Sequence, residues 1–329
     1  MGINTEQDYI EHVTKLGDSH TIQTSEDIYS HSGVKLVDKG VQINKGFYED
    51  LVKHKLLKPI DFSLKVENCI TTTDLYKEAK KLIDEVPWLN MVVKSMHDQD
   101  LPLRILSAID LAPPLAFKLT VARERSPQVF EHCIEVALIS ICLGEHASLG
   151  RQALKDIAAA GVFHDLGILH INHELLDPER KLTEQDKQSL FAHPLISYLI
   201  LKEFPQYHPS VSKAVLDHHE RMNGSGYPRG IKNDEISEFG EILAIAELVI
   251  SFINKNPGVQ MQDKLNIILK FNRHNYSVKF THYLINIFKS IPSIEIEKDY
   301  SSFDMSRMSF IKVNKRSIFR LATSSIIVA

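Results

Sequence analysis

Hydrophobic and polar positions follow different patterns in the first 110 residues and in the rest of the chain. The segment from Ile28 to Val37 predicts two short strands around a Ser-Gly turn, and the spacing over 47–57 predicts a helix. From Thr73 the apolar positions repeat with the helical period until Pro87. These patterns predict a small α+β unit. Its main apolar helical face carries Leu75, Ala79, Leu82, Ile83 and Val86.

Nearly every segment from 115 to 256 has the helical period, so we place the main domain boundary at Pro113-Pro114. The first long helix after it is apolar around much of its circumference, which is typical of a buried helix in a larger α-helical domain. Residues 262–272 and 278–288 predict two more helices, and 305–328 has a strand-like composition. The predicted regions are 1–110, a helical domain over 111–292, and a tail over 293–329.

The composition excludes several classes of protein. Hydrophobic residues make up 43% and charged residues 24% of the 329 residues, as in ordinary globular proteins. The net charge of −4 gives no footprint for nucleic acid polymers, and no apolar run approaches the roughly 18 residues of a membrane span. The N-terminus lacks a signal-peptide pattern, and three cysteines without a CxxC pair fit a reducing compartment. We therefore expect a cytoplasmic protein.

Histidine is the residue type that stands out. Nine of the 16 histidines lie between His132 and His219, which makes a metal site the first hypothesis to test. Asp165 follows His164 and continues an otherwise apolar helical stripe, where an unpaired carboxylate is costly. It therefore needs a cation, a hydrogen-bonded cage or a metal ion. An isolated His-Asp pair is more often a helix end satisfied by backbone groups, so its companions decide between these readings.

Further motifs flank this pair in order. They are His132, His193-Pro194, His218-His219-Glu220-Arg221 and the turn Asn223-Gly224-Ser225-Gly226-Tyr227-Pro228. Adjacent helical residues diverge by about 100°, so two neighbouring histidines share a metal only at a helix end, which the glycines supply. The order and spacing over roughly 115–290 resemble an HD-GYP domain, a member of the HD superfamily.

The resemblance implies a mainly α fold: an all-helical HD-GYP domain preceded by a small α+β N-terminal module. It implies a metallohydrolase that holds two divalent transition metal ions, commonly iron or manganese, and opens cyclic di-GMP to linear pGpG or on to GMP. Asp165 would bridge the two ions, and Asp165 with His164 would form the catalytic pair. The implied metal ligands are His132, His164, Asp165, His193, His218, His219 and Glu247.

The resemblance also implies a role for the turn after the second histidine pair. Arg221, Gly226, Tyr227 and Pro228 would bind substrate or a partner such as a diguanylate cyclase (GGDEF) domain, and we expect this loop to be exposed. The alternative is that Gly226 and Pro228 only shape the turn. A homodimer is also compatible with the resemblance. The N-terminal module is open to three roles, namely sensing a ligand, dimerising or covering apolar surface.

Four positions depart from the family pattern. Ile168 stands where the family has Lys, Asn223 and Glu247 each stand where it has Asp, and Asn256 stands where it has a phosphate-binding Arg. Glu247 keeps a carboxylate, and Asn223 can still cap the turn by hydrogen bonding. The two missing cations weigh more, because losing one such transition-state contact costs on the order of 10²–10³ in rate.

Two classes of function follow from this balance. The first is a metal-dependent phosphodiesterase for cyclic di-GMP, with low activity. The second is a catalytically degenerate module that senses cyclic di-GMP or serves as a protein-interaction scaffold. An HD hydrolase for another nucleotide is a third reading. Loss of product formation with retained nucleotide binding would separate the first two.

Overall fold

The computed structural model describes residues 5–177, 179–255 and 274–289. Its first part contains short strands and helices, with 3-10 helices over Lys45–Phe47 and Ile60–Ser63. The elements are α1 (Thr5–Leu16), β1 (Ile22–Thr24), β2 (Ile28–Tyr29), β3 (Lys35–Val37), α2 (Tyr48–Val52), β4 (Leu64–Val66), α3 (Thr72–Glu85), α4 (Pro87–Lys94) and α5 (Leu101–Ser107).

The regular elements described after residue 112 are all helices, including 3-10 helices over Leu166–His170, His173–Leu176 and Asn233–Glu235. The helices are α6 (Pro113–Arg125), α7 (Pro127–His146), α8 (Arg151–Phe163), α9 (Glu184–Leu190), α10 (His193–Lys202), α11 (Pro209–Asp217), α12 (Glu238–Lys255) and α13 (Val278–Lys289). The predicted fold class is therefore confirmed: a mainly α chain with a small α+β unit in front. The helix predicted over 278–288 is α13, whereas the predictions for Asn256, 262–272 and 293–329 lie outside the described residues.

The N-terminal strands form two antiparallel pairs. β2 pairs with β3, which confirms the two strands predicted around the Ser-Gly turn, and Ile28 lies opposite Val37, while β1 pairs with β4. Gly33 in the connecting turn has a φ of +82°, in the left-handed region that glycine adopts without steric cost. The conformation of Gly33 therefore allows the tight turn that connects β2 and β3.

The helix predicted over 47–57 is shorter than expected and ends at Val52. The residues after it run beside β2 instead, where the N–H of Leu57 donates to the carbonyl of Tyr29 at 2.9 Å. The N–H of His31 donates to the carbonyl of Lys55 at 2.7 Å. The strand offers this segment hydrogen-bond partners that a continued helix would not need, so tertiary contacts override the local pattern.

The division of the chain at Pro113-Pro114 stays a prediction. Both prolines lie in the first turn of α6, where a missing N–H is harmless. Buried side chains before and after this point belong to one continuous hydrophobic cluster. Helices α7 and α8 approach each other closely within this cluster, as Gly161 shows: a Cβ at this position would lie 2.6 Å from the Cα of Ala137. The histidine motifs therefore lie on closely packed helices or directly at their ends.

Within the described residues, α7 alone is long and apolar enough to cross a membrane by length and composition. The relevant window has a mean hydropathy of 1.3, and 72% of it is buried inside the protein. Its position in the core accounts for the apolar character that the sequence pattern shows.

Candidate metal centre

The two pairs of adjacent ligand candidates lie where helices end. α8 ends at Phe163, directly before His164-Asp165, and α11 ends directly before His218-His219. The expectation that Asp165 continues a helical stripe is therefore wrong, because the residue lies past the end of α8. Beyond a helix end neighbouring side chains are free of the 100° divergence and can converge. The partial negative charge of both helix C-termini also favours a cation nearby.

Gly167 brings Asp165 close to α10. Its N–H donates to the hydroxyl of Ser197 at 2.7 Å, and a Cβ at this position would lie 2.3 Å from the carbonyl oxygen of His193. A side chain here would push Asp165 away from His193. His193 is the first residue of α10 and Pro194 is the second, so the proline lies in the first turn of the helix, where its missing N–H is harmless.

The glycine-rich turn folds back onto the second histidine pair. The ring of Tyr227 stacks on that of His219 with centroids 4.7 Å apart, and its N–H donates to the carbonyl of His219 at 3.1 Å. A Cβ on Gly226 would lie 2.5 Å from the same carbonyl oxygen. Gly226 and Pro228 are buried and Tyr227 is half-buried, so the expectation of an exposed loop is wrong. These residues support His219 from behind.

Arg221 and Asn223 hold the same turn in shape. The guanidinium of Arg221 donates to the carbonyl oxygens of His218 and Glu220 at 3.2 and 2.7 Å and lies 4.6 Å from the centre of the Tyr276 ring. The side-chain oxygen of Asn223 accepts the N–H of Ser225 at 2.8 Å, which confirms the predicted cap. Arg221 thus supports the backbone of the histidine pair.

Six of the seven predicted ligands form two groups that share Asp165. In each group the candidate ligand atoms lie within 4.8 Å of one another. The first group is His132, His164 and Asp165, and the second is Asp165, His193, His218 and His219.

Asp165 turns one oxygen toward each group. Its Oδ1 lies 3.1 Å from Nε2 of His193 and 3.8 Å from Nε2 of His218. Its Oδ2 lies 3.4 Å from Nε2 of His164. A single carboxylate therefore faces both groups, as a ligand shared by two cations must.

Glu247, the seventh predicted ligand, lies beside the first group. Its Oε2 is 2.6 Å from Nε2 of His132 and 3.9 Å from Nε2 of His164. Its Oε1 accepts a hydrogen bond from the hydroxyl of Ser251 at 2.6 Å, which fixes the carboxylate. The longer side chain therefore still reaches the position that the sequence pattern predicts.

Backbone carbonyls set the orientation of three imidazoles. Nδ1 of His164, His193 and His218 each contacts the carbonyl oxygen three residues earlier, at 2.7, 2.7 and 2.6 Å. Because a carbonyl only accepts, each Nδ1 carries the proton and donates it. The lone pair of a neutral ring is then on Nε2, and this is the arrangement that metal-binding histidines use.

Several of the facing atoms are buried and make no hydrogen bond within the part of the chain that the structure describes. They are Nε2 of His164, His193 and His218 and Oδ1 of Asp165. Buried polar atoms without partners are rare in native proteins. Imidazole and carboxylate donors together suit iron, manganese or zinc, so the donor set fits divalent transition metal ions.

The electrostatics keep part of the site ready for a cation. Burial and the neighbouring imidazoles lower the pKa of His218 to about 3 and hold the pKa of His219 well below its ordinary value. Burial alone would raise the pKa of Asp165, but His164 and His193 hold it well below its usual range. The second group thus combines a carboxylate with two neutral imidazoles, the protonation states that metal binding requires.

A cavity of about 910 Å³ opens on the first group, and His132 and Asp165 form part of its lining. This volume is within the range of sites that hold small-molecule ligands. Ile168 is half-buried and, like Arg221, does not belong to the lining that the structure describes. Arg180 does belong to it, and sequence reasoning missed this residue because nothing in its spacing distinguishes it from a surface cation.

The chain is similar to a protein family and to several curated proteins. The HD domain family matches residues 108–276, more than half of the chain. The cyclic di-GMP phosphodiesterase PA4108 of Pseudomonas aeruginosa is 22% identical over 189 residues, which cover 56% of this chain and 46% of that protein. The 3'3'-cGAMP-specific phosphodiesterase 1 of Vibrio cholerae is 30% identical over 158 residues, covering 48% of this chain and 36% of that protein.

The chain thus spans less than half the length of these two curated relatives. Among solved structures, the HDG"Y"P protein Bd1817 of Bdellovibrio bacteriovorus overlaps 81% of this chain and 95% of its own at 13% identity. Its TM-score of 0.45 is too low to support an argument about fold. On the match over 108–276 and the curated relatives, the chain belongs to the HD-domain family, and its resemblance to the HD-GYP members is confirmed.

Proposed function

We propose that this chain is a metal-dependent phosphodiesterase that opens a cyclic dinucleotide, with cyclic di-GMP as its first substrate and pGpG or GMP as its product. The observation that carries the proposal is the set of buried, facing donor atoms on Asp165, His164, His193 and His218, which make no hydrogen bond within the described residues. Asp165, together with His132, lines a cavity large enough for a nucleotide ligand.

Each side chain has a definite task in the proposed reaction. His132, His164 and Glu247 would hold one cation, His193, His218 and His219 the other, and Asp165 would contact both. Two divalent cations bound there would supply Lewis-acid activation of a water molecule and neutralise charge on the phosphodiester. The carbonyls behind His164, His193 and His218 keep each Nε2 directed at the site. Tyr227 holds His219 in place by stacking.

The names of the relatives support the substrate class rather than one substrate. One is a phosphodiesterase for cyclic di-GMP and another is specific for 3'3'-cGAMP. Both substrates are cyclic dinucleotides with two phosphodiester groups, so the same chemistry applies to either. The proposal therefore names cyclic di-GMP first and keeps 3'3'-cGAMP as a second arm of the test.

The test begins with the metal. Protein purified without added metal is analysed for transition metals, reconstituted anaerobically with iron or manganese, and then incubated with each dinucleotide while products are separated by chromatography. We expect about two metal equivalents and a linear product. Less than about half an equivalent after reconstitution would contradict the dinuclear site. A fully loaded protein that leaves both dinucleotides intact would contradict the phosphodiesterase.

A cyclic di-GMP sensor is the second candidate, and Ile168 is the observation that favours it. The side chain has no charge where the family has Lys, so this position supplies no cation to stabilise the transition state. A sensor retains nucleotide affinity without forming product. Calorimetric binding with no turnover in the same metal-loaded preparation would select this reading over the enzyme.

For protein partners, we propose a narrower contact surface than the glycine-rich turn as a whole. Asn223 and Ser225 are exposed, whereas Gly226 and Pro228 are buried. A GGDEF domain would therefore meet the first part of the turn. Ser225→Arg should weaken binding of such a domain while leaving metal content unchanged.

A further inference from the structure

The cavity beside the first metal group presents one cationic side chain to a substrate with two negative charges. Among the described residues that line it, Arg180 is the one Lys or Arg. A cyclic dinucleotide carries two phosphodiester anions, and the histidine-carboxylate groups are arranged to act on one of them. The second anion enters the same cavity and needs a partner of its own, because burying an unpaired charge is unfavourable.

Two carboxylates hold Arg180 in position. Its Nη1 lies 2.7 Å from Oε2 of Glu174, and its Nη2 lies 3.8 Å from Oδ1 of Asp186. Asp186 is fixed in turn, because its other oxygen accepts the N–H and the hydroxyl of Thr183 at 2.9 and 2.7 Å. The side chain of Arg180 is 34% exposed, so an incoming ligand can reach it.

The guanidinium has donors to spare. Of its five N–H groups, one hydrogen-bonds to Glu174 within the described residues, and the contact with Asp186 is too long for a hydrogen bond. Arginine binds phosphate through a rigid fork of parallel N–H donors, with greater geometric specificity than lysine. The anchored head of Arg180 is therefore suited to a phosphodiester oxygen pair.

The acidic side chains of the cavity do not cancel this role. Glu174 already pairs with Arg180, and Asp177 turns back on its own loop, where it accepts the N–H of Glu179 at 2.9 Å. Asp165 faces the histidines of both metal groups and His132 lies 2.6 Å from Glu247, which leaves His173 as the other ionisable lining residue. Arg180 is thus the feature of the lining that attracts an anion.

We propose that Arg180 binds the phosphodiester that is not cleaved, and so determines the affinity for cyclic dinucleotides. This inference rests on the proposed function and names the residue that recognises its substrate class. The contact is made equally in the ground state and in the transition state, so its loss raises KM and leaves kcat unchanged. A substrate with a single phosphodiester has no group for Arg180 to bind.

The test compares Arg180→Ala with Lys181→Ala on two substrates. Lys181 is an exposed neighbouring cation outside the described lining, so its removal matches the change in net charge. For cyclic di-GMP, Arg180→Ala should raise KM about tenfold or more, while Lys181→Ala stays near wild type. For bis(p-nitrophenyl) phosphate, which has one phosphodiester, both variants should match wild type. Where wild type binds without turnover, calorimetric Kd replaces KM.

The outcomes separate the inference from the proposed function. Equal loss on both substrates, or a fall in kcat without a change in KM, would mean that Arg180 supports the fold or the metal centre, and would overturn the inference. An unchanged KM for cyclic di-GMP and 3'3'-cGAMP in Arg180→Ala would also overturn it while leaving the phosphodiesterase intact. If wild type cleaves bis(p-nitrophenyl) phosphate but neither binds nor cleaves a cyclic dinucleotide, the proposed substrate class is wrong and the inference falls with it.

Discussion

Two of the buried clusters of polar side chains among the described residues differ in how their atoms are partnered. In the candidate metal centre, the Nε2 atoms of His164, His193 and His218 are buried and make no hydrogen bond among the described residues. The second cluster, formed by Tyr9, Asp61, Lys118 and His170, joins the N-terminal elements to α6 and to the 3-10 helix after Asp165. Here Lys118 lies 2.7 Å from Asp61 and 3.2 Å from Nε2 of His170, and the hydroxyl of Tyr9 donates to Asp61.

Burial alone therefore does not identify a ligand site. Burial lowers the pKa of Lys118, but Asp61 opposes this shift. The buried charge of the second cluster is therefore paired with other side chains of the protein. The ammonium also lies 3.7 Å from the centre of the Tyr9 ring, and that ring stacks on His170. The imidazole nitrogens of the metal centre face each other, and a cation from outside is needed to satisfy them.

The largest expected effect comes from Asp165→Ala, which removes the carboxylate that both groups share. We expect the protein to lose both metals, with affinity reduced by more than about 100-fold, and to lose all hydrolysis. Elemental analysis after anaerobic reconstitution measures the metal. Retention of one full equivalent would show that the two groups are independent and that Asp165 does not bridge them.

The second cluster should respond in stability instead. Lys118→Met leaves Asp61 as an uncompensated buried charge, which should lower the free energy of unfolding by about 3–5 kcal/mol. Denaturant unfolding of the metal-free protein measures this, and Asp61→Asn combined with Lys118→Met should recover part of the loss. Metal content per folded molecule should remain that of wild type. Loss of metal in folded Lys118→Met would break the comparison, because it would couple the two clusters through His170.

A smaller effect is expected from His193→Ala, which touches one group only. This variant should lose about one of two metal equivalents, because His193 belongs to the second group and Asp165 stays in place. His146→Ala is the matched control: its ring contacts the carbonyl of Cys142 at 3.1 Å, and it belongs to neither group. Loss of both metals in His193→Ala would mean that the first group cannot hold an ion alone.

The smallest effect is expected from Ile168→Lys. A lysine reaching the scissile phosphate would raise turnover by about tenfold or more. Because Ile168 lies outside the described lining of the cavity, we expect a change of less than about threefold at constant metal content. Turnover, metal content and melting temperature are measured on one preparation. A tenfold gain would show that the added ammonium reaches the substrate after all.

Much of the fold and of the candidate site was predictable from the sequence. The helical periods correctly predicted α3 and α13, and the resemblance to an HD-GYP domain implied which side chains meet around Asp165. Tertiary packing changed the local details. Asp165 lies beyond the end of α8 rather than on it. The segment over 53–57 runs beside β2, and the turn containing Tyr227 is packed against His219. Arg180 gave no sequence signal that set it apart.

The sequence by itself determined the helical elements and the identity of the motifs, because both depend on residues a few positions apart. Only the tertiary structure decided that Asp165 directs one carboxylate oxygen at the first group and the other at the second. The same holds for the direction of Nε2 of His193 toward the site and for the position of Arg180 in the lining of the cavity. The pairing of Lys118 with Asp61 and His170 was equally hidden, since more than fifty positions separate these residues along the chain. Such contacts arise when distant segments pack together, and no local pattern records which of them will meet.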